Sequence, residues 1–320
     1  MSETQPHPGA GLSLGERLRY GAEAAVFFAF MALFRVIGLS AASRLGGFIG
    51  RNIFCWLPPD RIARANLLRA FPQKSLAERD AIRRTMWDNL GRVVGEYPHL
   101  EKFSPKGEDP RVTYSLPPGM TVEDLKHGPV MFLSGHLGNW EVMPILAAQV
   151  GLDGAAVVRP PNNPFVADWV ARQRAINGPS TMIAKHNAAR GMLTQLRAGK
   201  MLCMLMDQKL REGIAVPFFG HDAMTTPAPA ALALKTGARV VLAANHRLPG
   251  PRFHVTVYEP PAIIPSGDEV RDTKALTAAF TAGIEEIVRA DPGQWLWIHN
   301  RWPTRRDAEL MRGQNTGIKA

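Results

Sequence analysis

From residue 120 onward the chain alternates short apolar runs with longer amphipathic stretches, and that rhythm restricts the fold more than any other feature. Apolar runs at 130–134, 155–158, 201–206, 240–244 and 254–258 have strand length. Between them, 140–150, 165–176, 188–198, 229–236 and 274–289 carry helical periodicity. Strands separated by helices must cross over and return in the same direction. The expected class is therefore α/β, with a mixed, largely parallel sheet flanked by helices, preceded by an N-terminal membrane-associated helical segment.

Upstream of that core the composition changes. Residues 1–15 are polar with Gly and Pro and read as a disordered tail, as do 306–320. Residues 16–58 read as a membrane anchor and an amphipathic helical segment, and 59–119 as a helical region packing on a core that spans 120–305. The stretch from Ala24 to Phe34 carries no charge. A full span needs roughly 20 apolar residues, reached here only by adding Val36 to Leu39, with Glu23 and Arg35 near the ends. The same segment could instead lie in the interface or be buried. Arginines follow it at positions 35, 44, 51, 61, 64 and 69, against Arg17 and Arg19 before it. By the positive-inside rule the following domain belongs in the cytoplasm.

A net charge of +10 points to polyanionic partners: nucleic acid, anionic headgroups or an acidic carrier protein. No RNP-like aromatic motif or zinc-finger spacing accompanies it, so an anionic membrane is expected and nucleic acid is not. The two cysteines, Cys55 and Cys203, are too few for a disulfide framework or a zinc ribbon.

The chemistry is expected at 132–141, Phe-Leu-Ser-Gly-His-Leu-Gly-Asn-Trp-Glu. Five helical steps leave two side chains well over 90° apart. His136 and Glu141 therefore converge only if the histidine sits in a turn and the carboxylate opens the next helix. Gly135 and Gly138 favour such a turn, and Asn139 is a suitable N-cap. A histidine steadied by a carboxylate at the mouth of a strand is suited to general-base catalysis on an alcohol. Three further clusters fall at expected strand ends, where open α/β sheets bind their ligands. They are Arg159 with Asn163, Asp207 with Gln208, and the block from Gln294 to Trp302 that contains Arg301. Each also has a plain structural reading. The His–Glu pair could be a structural hydrogen bond, Arg159 a surface charge, Asp207 a turn cap, and the tryptophans core.

Taken together and in order, these blocks resemble one family. His136-Leu137-Gly138-Asn139-Trp140-Glu141 is similar to the histidine-x4-acid motif of glycerolipid-type acyltransferases. The fuller set resembles the bacterial lipid A biosynthesis acyltransferases of lauroyl and myristoyl type. It comprises Ser134 to Glu141, Arg159-Pro160-x-x-Asn163-Pro164, Asp207-Gln208 with Phe218-Phe219-Gly220, and Gln294-Trp295-Leu296-Trp297-x-His299-x-Arg301-Trp302. Arg64 to Leu67 and Ala70 to Pro72 also resemble its helical region. Glu141 fits the lipid A branch, whereas glycerolipid enzymes usually carry aspartate. Asn300 stands where a second basic residue is expected.

The resemblance implies transfer of an acyl chain from an acyl carrier protein thioester to a hydroxyl of a lipid A precursor glycolipid. His136 would act as general base and Glu141 would orient it. Arg159, Asn163, Asp207, Gln208 and Arg301 are expected to bind substrate or stabilise the oxyanion, with free amides after Asn139 assisting. No metal or organic cofactor is implied. Direct transfer in a ternary complex is expected, because Ser134 precedes the turn and points away. The enzyme would work at the cytoplasmic face of the inner membrane. Other readings are an acyltransferase on another lipid acceptor, a membrane-bound thioesterase, and a non-catalytic lipid-binding protein.

Overall fold

A computed structural model describes residues 12–303 except 185–187. The expected disordered tails fall largely outside the described residues.

Two apolar and two polar-faced helices lead into the core. Helix α1 (Leu14–Ile37) begins with a complete capping box, Ser13 with Glu16, and ends at Gly38. It is 24 residues long, has a mean hydropathy of 1.6 over its most apolar window, and is only 17% buried there. Among the described residues it is the one helix long and apolar enough to cross a membrane. Helix α2 (Leu39–Asn52) buries Gly46, Gly47 and Gly50, and packs against α4 (Leu76–Glu96). The contact is backbone to backbone: a Cβ on Gly46 would lie 2.2 Å from the Gly91 carbonyl oxygen. Only glycine allows that approach. Helix α3 (Asp60–Ala70) anchors to α4 through the buried carboxylate of Asp60, which accepts from Arg83 Nη1 and Trp87 Nε1, both at 2.7 Å.

The main sheet contains β1 (Val112–Ser115), β2 (Val130–Ser134), β3 (Gly154–Val158), β4 (Thr181–Ala184), β5 (Met201–Leu205), β8 (Arg239–Leu248) and β9 (Arg252–Tyr258). Their order is β1-β9-β8-β2-β5-β3-β4. All pairings are parallel except the β8–β9 hairpin. Helices α5 (Val142–Gln149), α6 (Pro164–Ala175), α7 (Ala188–Arg197), α8 (Ala228–Thr236) and α9 (Glu269–Ala290) make the crossovers and flanking layers. The expected largely parallel α/β sheet is therefore present. Separately, β6 (Ile214–Phe218) and β7 (His221–Thr225) form an antiparallel hairpin.

Four strands depart from the sequence reading: β1, β4, β6 and β7. Strands β1 and β4 are four-residue edge strands, too short to show a period, and β1 brings part of the 59–119 region into the sheet. The hairpin interrupts its pattern with Pro217 and alternates exposed with buried positions. Residues 295–298 form no strand of the sheet. They cross the β2–α5 turn through one antiparallel bridge, Leu137 to Trp295.

Candidate active site

The turn between β2 and α5 leaves the sheet at its centre, where parallel strands end side by side. Its backbone is fixed from four directions. Leu296 N donates to His136 O (3.1 Å) and Gly138 N to Gln294 O (3.1 Å). Asn89 Nδ2 donates to Gly138 O (2.8 Å), and Asn245 Nδ2 donates to Asn139 O. Gly138 has φ +54°, and a Cβ there would lie 2.2 Å from Asn245 O, so the turn needs glycine at this point. Beneath it Glu96, fully buried, accepts from Asn139 Nδ2 (3.0 Å), Ser43 Oγ (2.8 Å) and Arg247 Nη2 (3.0 Å). Arg247 Nε also donates to Asn89 Oδ1 at 2.7 Å. Helices α2 and α4, β8 and the C-terminal block thus hold the histidine turn through buried charge-assisted bonds.

The carboxylate that holds His136 belongs to Asp207, at the end of β5. Its Oδ1 lies 2.8 Å from His136 Nδ1, and its Oδ2 accepts from His136 N and from Trp295 Nε1, both at 2.7 Å. The pairing follows from strand order. Strands β2 and β5 are hydrogen-bonded neighbours in register, Ser134 opposite Leu205, so their next residues emerge together. Burial opposes the charge on Asp207, but the His136 ring, its amide and Trp295 outweigh it and hold the carboxyl well below the ordinary carboxylate range. An ionised acceptor fixes the proton on Nδ1 and leaves the Nε2 lone pair of His136 outward. Gln208 Nε2 reaches that atom at 3.3 Å and His299 Nε2 at 3.2 Å.

Glu141 does not orient the imidazole, contrary to the expectation from spacing. It is the N-cap residue of α5 rather than part of its first turn, and its carboxylate faces α6. There it accepts two bonds from Arg174, from Nε at 2.8 Å and Nη2 at 2.6 Å. Burial opposes the Arg174 charge, yet Glu141 holds the guanidinium firmly protonated. Tyr97 is packed beside the pair, and burial pushes its hydroxyl up. Arg174 was not among the expected site residues. Its only sequence signal is an arginine in the last turn of an amphipathic helix, which is commonplace.

The other expected residues separate into two groups. Arg159 and Gln208 face a cavity of about 390 Å³ together with His136, Glu141 and Arg174. Asn163 instead caps α6, accepting from Phe165 N (3.1 Å), and donates to Tyr20 O of α1 (2.8 Å). Arg301 is 1% exposed, and its guanidinium bonds Thr225 Oγ1 (2.7 Å) and Met224 O (3.2 Å) above the Phe218 ring. Burial lowers its pKa to about 10, opposed by the Asp207 carboxylate. Both side chains brace the fold in this arrangement, and neither lines the cavity.

Two of the helix-start amides expected to serve an oxyanion are committed. Those of Glu141 and Val142 bond Asn139 at 3.3 and 3.0 Å, and position 144 is proline. Cationic groups facing the same cavity are Arg159 and Arg174. Ser134 Oγ donates to Ala243 O at 2.6 Å inside the sheet, as its place before the turn implied. Cys203 lines the cavity with its thiol pushed up to about 12 by burial, so it is a poor nucleophile. Among the described residues no cluster of histidine, cysteine or carboxylate has the form of a metal site.

Residues 16–304 match the family model described as bacterial lipid A biosynthesis acyltransferase. The chain is 26% identical to the lipid A biosynthesis myristoyltransferase of Escherichia coli (strain K12), over 84% of this chain and 82% of that protein. It is 27% identical to the palmitoleoyltransferase of the same organism, over 81% of this chain and 85% of that one. It is also 27% identical to the lauroyltransferase, where the match covers 52% of this chain and spans about half (54%) of the relative. With the family model covering nearly the whole chain, and a strand-end histidine beside an apolar cavity, the protein belongs to the bacterial lipid A biosynthesis acyltransferases.

Proposed function

We propose that the protein transfers a fatty acyl chain from an acyl carrier protein thioester to a hydroxyl group of a lipid A precursor, with His136 as general base. The observation that carries this reading is the imidazole itself. Its Nδ1 is tied to buried Asp207, and the ring borders a largely apolar cavity. An imidazole oriented by a buried carboxylate beside a largely apolar cavity suits deprotonation of an alcohol, worth about 10²–10⁴-fold in rate.

In the proposed sequence the acceptor hydroxyl displaces the Gln208 amide from His136 Nε2 and gives up its proton as the oxygen attacks the thioester carbonyl. Asp207 stabilises the imidazolium. Arg174, held by Glu141, and Arg159 face the carbonyl oxygen as its charge develops. Collapse expels the thiolate, which takes the proton back from His136 Nε2. An ester and a free thiol leave, and the base is regenerated without any external proton. Direct transfer is favoured because Ser134 is committed to the sheet and Cys203 is held as a thiol.

The basic chain and the exposed apolar face of α1 support work at an anionic membrane surface, at the inner membrane with the site on the cytoplasmic side. Val26, Phe30, Leu33 and Val36 are all exposed on that helix. Mass spectrometry of lipid A from cells with and without the chain tests the assignment. One secondary acyl chain should be missing without it, and an unchanged profile would reject a lipid A acceptor. Acyl release at the same rate with and without acceptor would reject transfer in favour of hydrolysis.

A further inference from the structure

Helix α1 is fastened to the α/β core along most of its length. Asn163, at the start of α6, donates to Tyr20 O (2.8 Å) and to Glu23 Oε2 (3.3 Å). Phe27 and Phe28 meet the Trp169 ring of α6 edge-on, with centroids 5.4 and 6.3 Å away. Met31 and Phe34 are buried in one cluster with Ala42 of α2, and Val94 and Tyr97 pack against it. At the last turn Arg35 Nη1 donates to Pro98 O (2.7 Å) and pairs with Glu101. The contacts run from Tyr20 to Arg35, about 22 Å of helix.

The opposite side is apolar and open. Leu18, Val26, Phe30, Leu33 and Val36 are exposed, Val36 at 84%. At roughly 100° per residue they centre on the side away from Ala24, Phe27, Met31 and Phe34. Charges are confined to the two ends, with Glu16, Arg17, Arg19 and Glu23 before the apolar run and Arg35 after it.

A helix that crosses a bilayer passes about 20 residues through hydrocarbon, and only apolar helices can accompany it there. Among the described residues no second helix is long and apolar enough to do so. The neighbour of α1 is instead α6, the crossover between the paired strands β3 and β4, which carries Asp168, Arg172 and Arg174. Crossing would either draw that crossover and its sheet into the hydrocarbon or strip α1 from Asn163, Trp169 and Pro98.

We propose that α1 does not cross the membrane but lies in its plane, one face on the core and the opposite stripe sunk in a single leaflet, with both chain ends on the same side. The inference rests on the membrane reading above and adds a topology to it. A stripe of this kind reaches about 5–10 Å into the boundary between headgroups and acyl chains. Arg17, Arg19 and Arg35 then stand at headgroup level, where the basic chain is drawn to anionic lipid. The occupant is lipid rather than a second copy of the chain because of where the helix lies. Its contact Asn163 is four residues past Arg159, at the strand edge that also carries His136. A leaflet held there presents a lipid hydroxyl to the site without extracting the lipid from the bilayer.

The test uses the full chain with a short peptide tag before Met1 or after Ala320, in bacterial inner-membrane vesicles of either orientation. An impermeant protease should remove both tags in one orientation and neither in the other. Tags removed in opposite orientations would establish a span and overturn the inference. Depth measurement gives a second readout. Nitroxide labels on Leu18→Cys, Val26→Cys and Leu33→Cys, each with Cys55→Ser, in vesicles of phosphatidylethanolamine and phosphatidylglycerol should report one shared, shallow depth. Val26 lying about 10 Å deeper than Leu18 would mark a span and overturn the inference. Labels shielded from lipid would mark a protein partner on the stripe and overturn it equally. A chain that binds neither kind of vesicle would overturn the membrane reading itself, and the inference with it.

Discussion

His136 Nδ1 and Asp207 Oδ1 lie 2.8 Å apart although 71 residues separate them in the chain, and the contact exists because β2 and β5 are neighbours. The same carboxylate also accepts from the His136 amide and the Trp295 indole, so one buried anion sets both the backbone and the ring of the histidine. Asp207→Asn keeps the shape but removes the ionised acceptor that selects the Nδ1–H tautomer. Transfer should fall about 10³–10⁴-fold, the scale of the same change in serine-protease triads. Steady-state kinetics beside a circular-dichroism melt separates this from misfolding; a kcat within tenfold of the unaltered protein would reject the role given to Asp207.

Glu141 has a different task, and its loss should look different. Because it forms a buried two-bond pair with Arg174, Glu141→Gln leaves a guanidinium without its counter-charge. Breaking such a pair costs about 3 kcal/mol, far more than the few tenths expected of a carboxylate at an exposed helix start. Denaturant unfolding should show that loss, and the double variant Glu141→Gln with Arg174→Gln should recover part of it. An additive double-mutant cycle would mean that the pair is not coupled.

Acid should weaken the fold through a named set of groups. Asp207 and Asp60 both sit below their ordinary range: burial opposes their charge, but His136 and Trp295 in one case, and Trp87, Arg83 and Arg64 in the other, overcome it. A depressed carboxyl contributes stability that is fully present above its unfolded value, about 3.9, and is lost as pH falls toward the folded value. Melting temperature should therefore hold from neutrality to mildly acidic pH and drop steeply below pH about 4. Asp60→Asn should lower the plateau and flatten that drop; an unchanged slope would show that the network does not carry it.

Helix α2 is held to α4 by glycine faces. Gly46→Ala would put a methyl 2.2 Å from the Gly91 carbonyl oxygen, and the backbones must separate. Overpacking of this kind costs about 1–3 kcal/mol. Since α4 also supplies Asn89 and Glu96 to the histidine turn, kcat should fall along with stability. Full activity in a stable Gly46→Ala protein would argue that the brace is dispensable.

Asn163 offers a contrast with the true cavity residues. Its side chain caps α6 and reaches Tyr20 O on α1, so Asn163→Ala should cost about 1 kcal/mol. Chemistry in a detergent-dispersed assay should slow by less than tenfold. A loss equal to that of a His136 variant would return Asn163 to the substrate contacts.

Much of this arrangement was legible in the linear chain because it is governed by local periodicity. Strand β2 runs from Val130 to Ser134 as its apolar pattern requires, and α6, α7 and α8 lie within a residue or so of their expected bounds. The glycine turn carrying His136 and the commitment of Ser134 to the sheet were likewise readable. Short edge strands and the β6–β7 hairpin were not, since four or five residues interrupted by proline carry no usable period. Asp207 and Gln208 stood out only as polar residues after an apolar strand, with no sign of which histidine they would meet.

What the amino-acid order determined by itself was most of the elements and a histidine in the glycine turn after β2, because both follow from contacts within a few residues. What tertiary structure decided was the partnership. Five positions along one turn do not bring His136 and Glu141 together, since Gly138 adopts φ +54° and the helix begins only after Glu141. Strand order brings Asp207 to the histidine instead, and Glu141 is taken by Arg174 from α6. Local sequence can specify where a charge stands on its own element, but which opposite charge it meets depends on how the sheet is threaded.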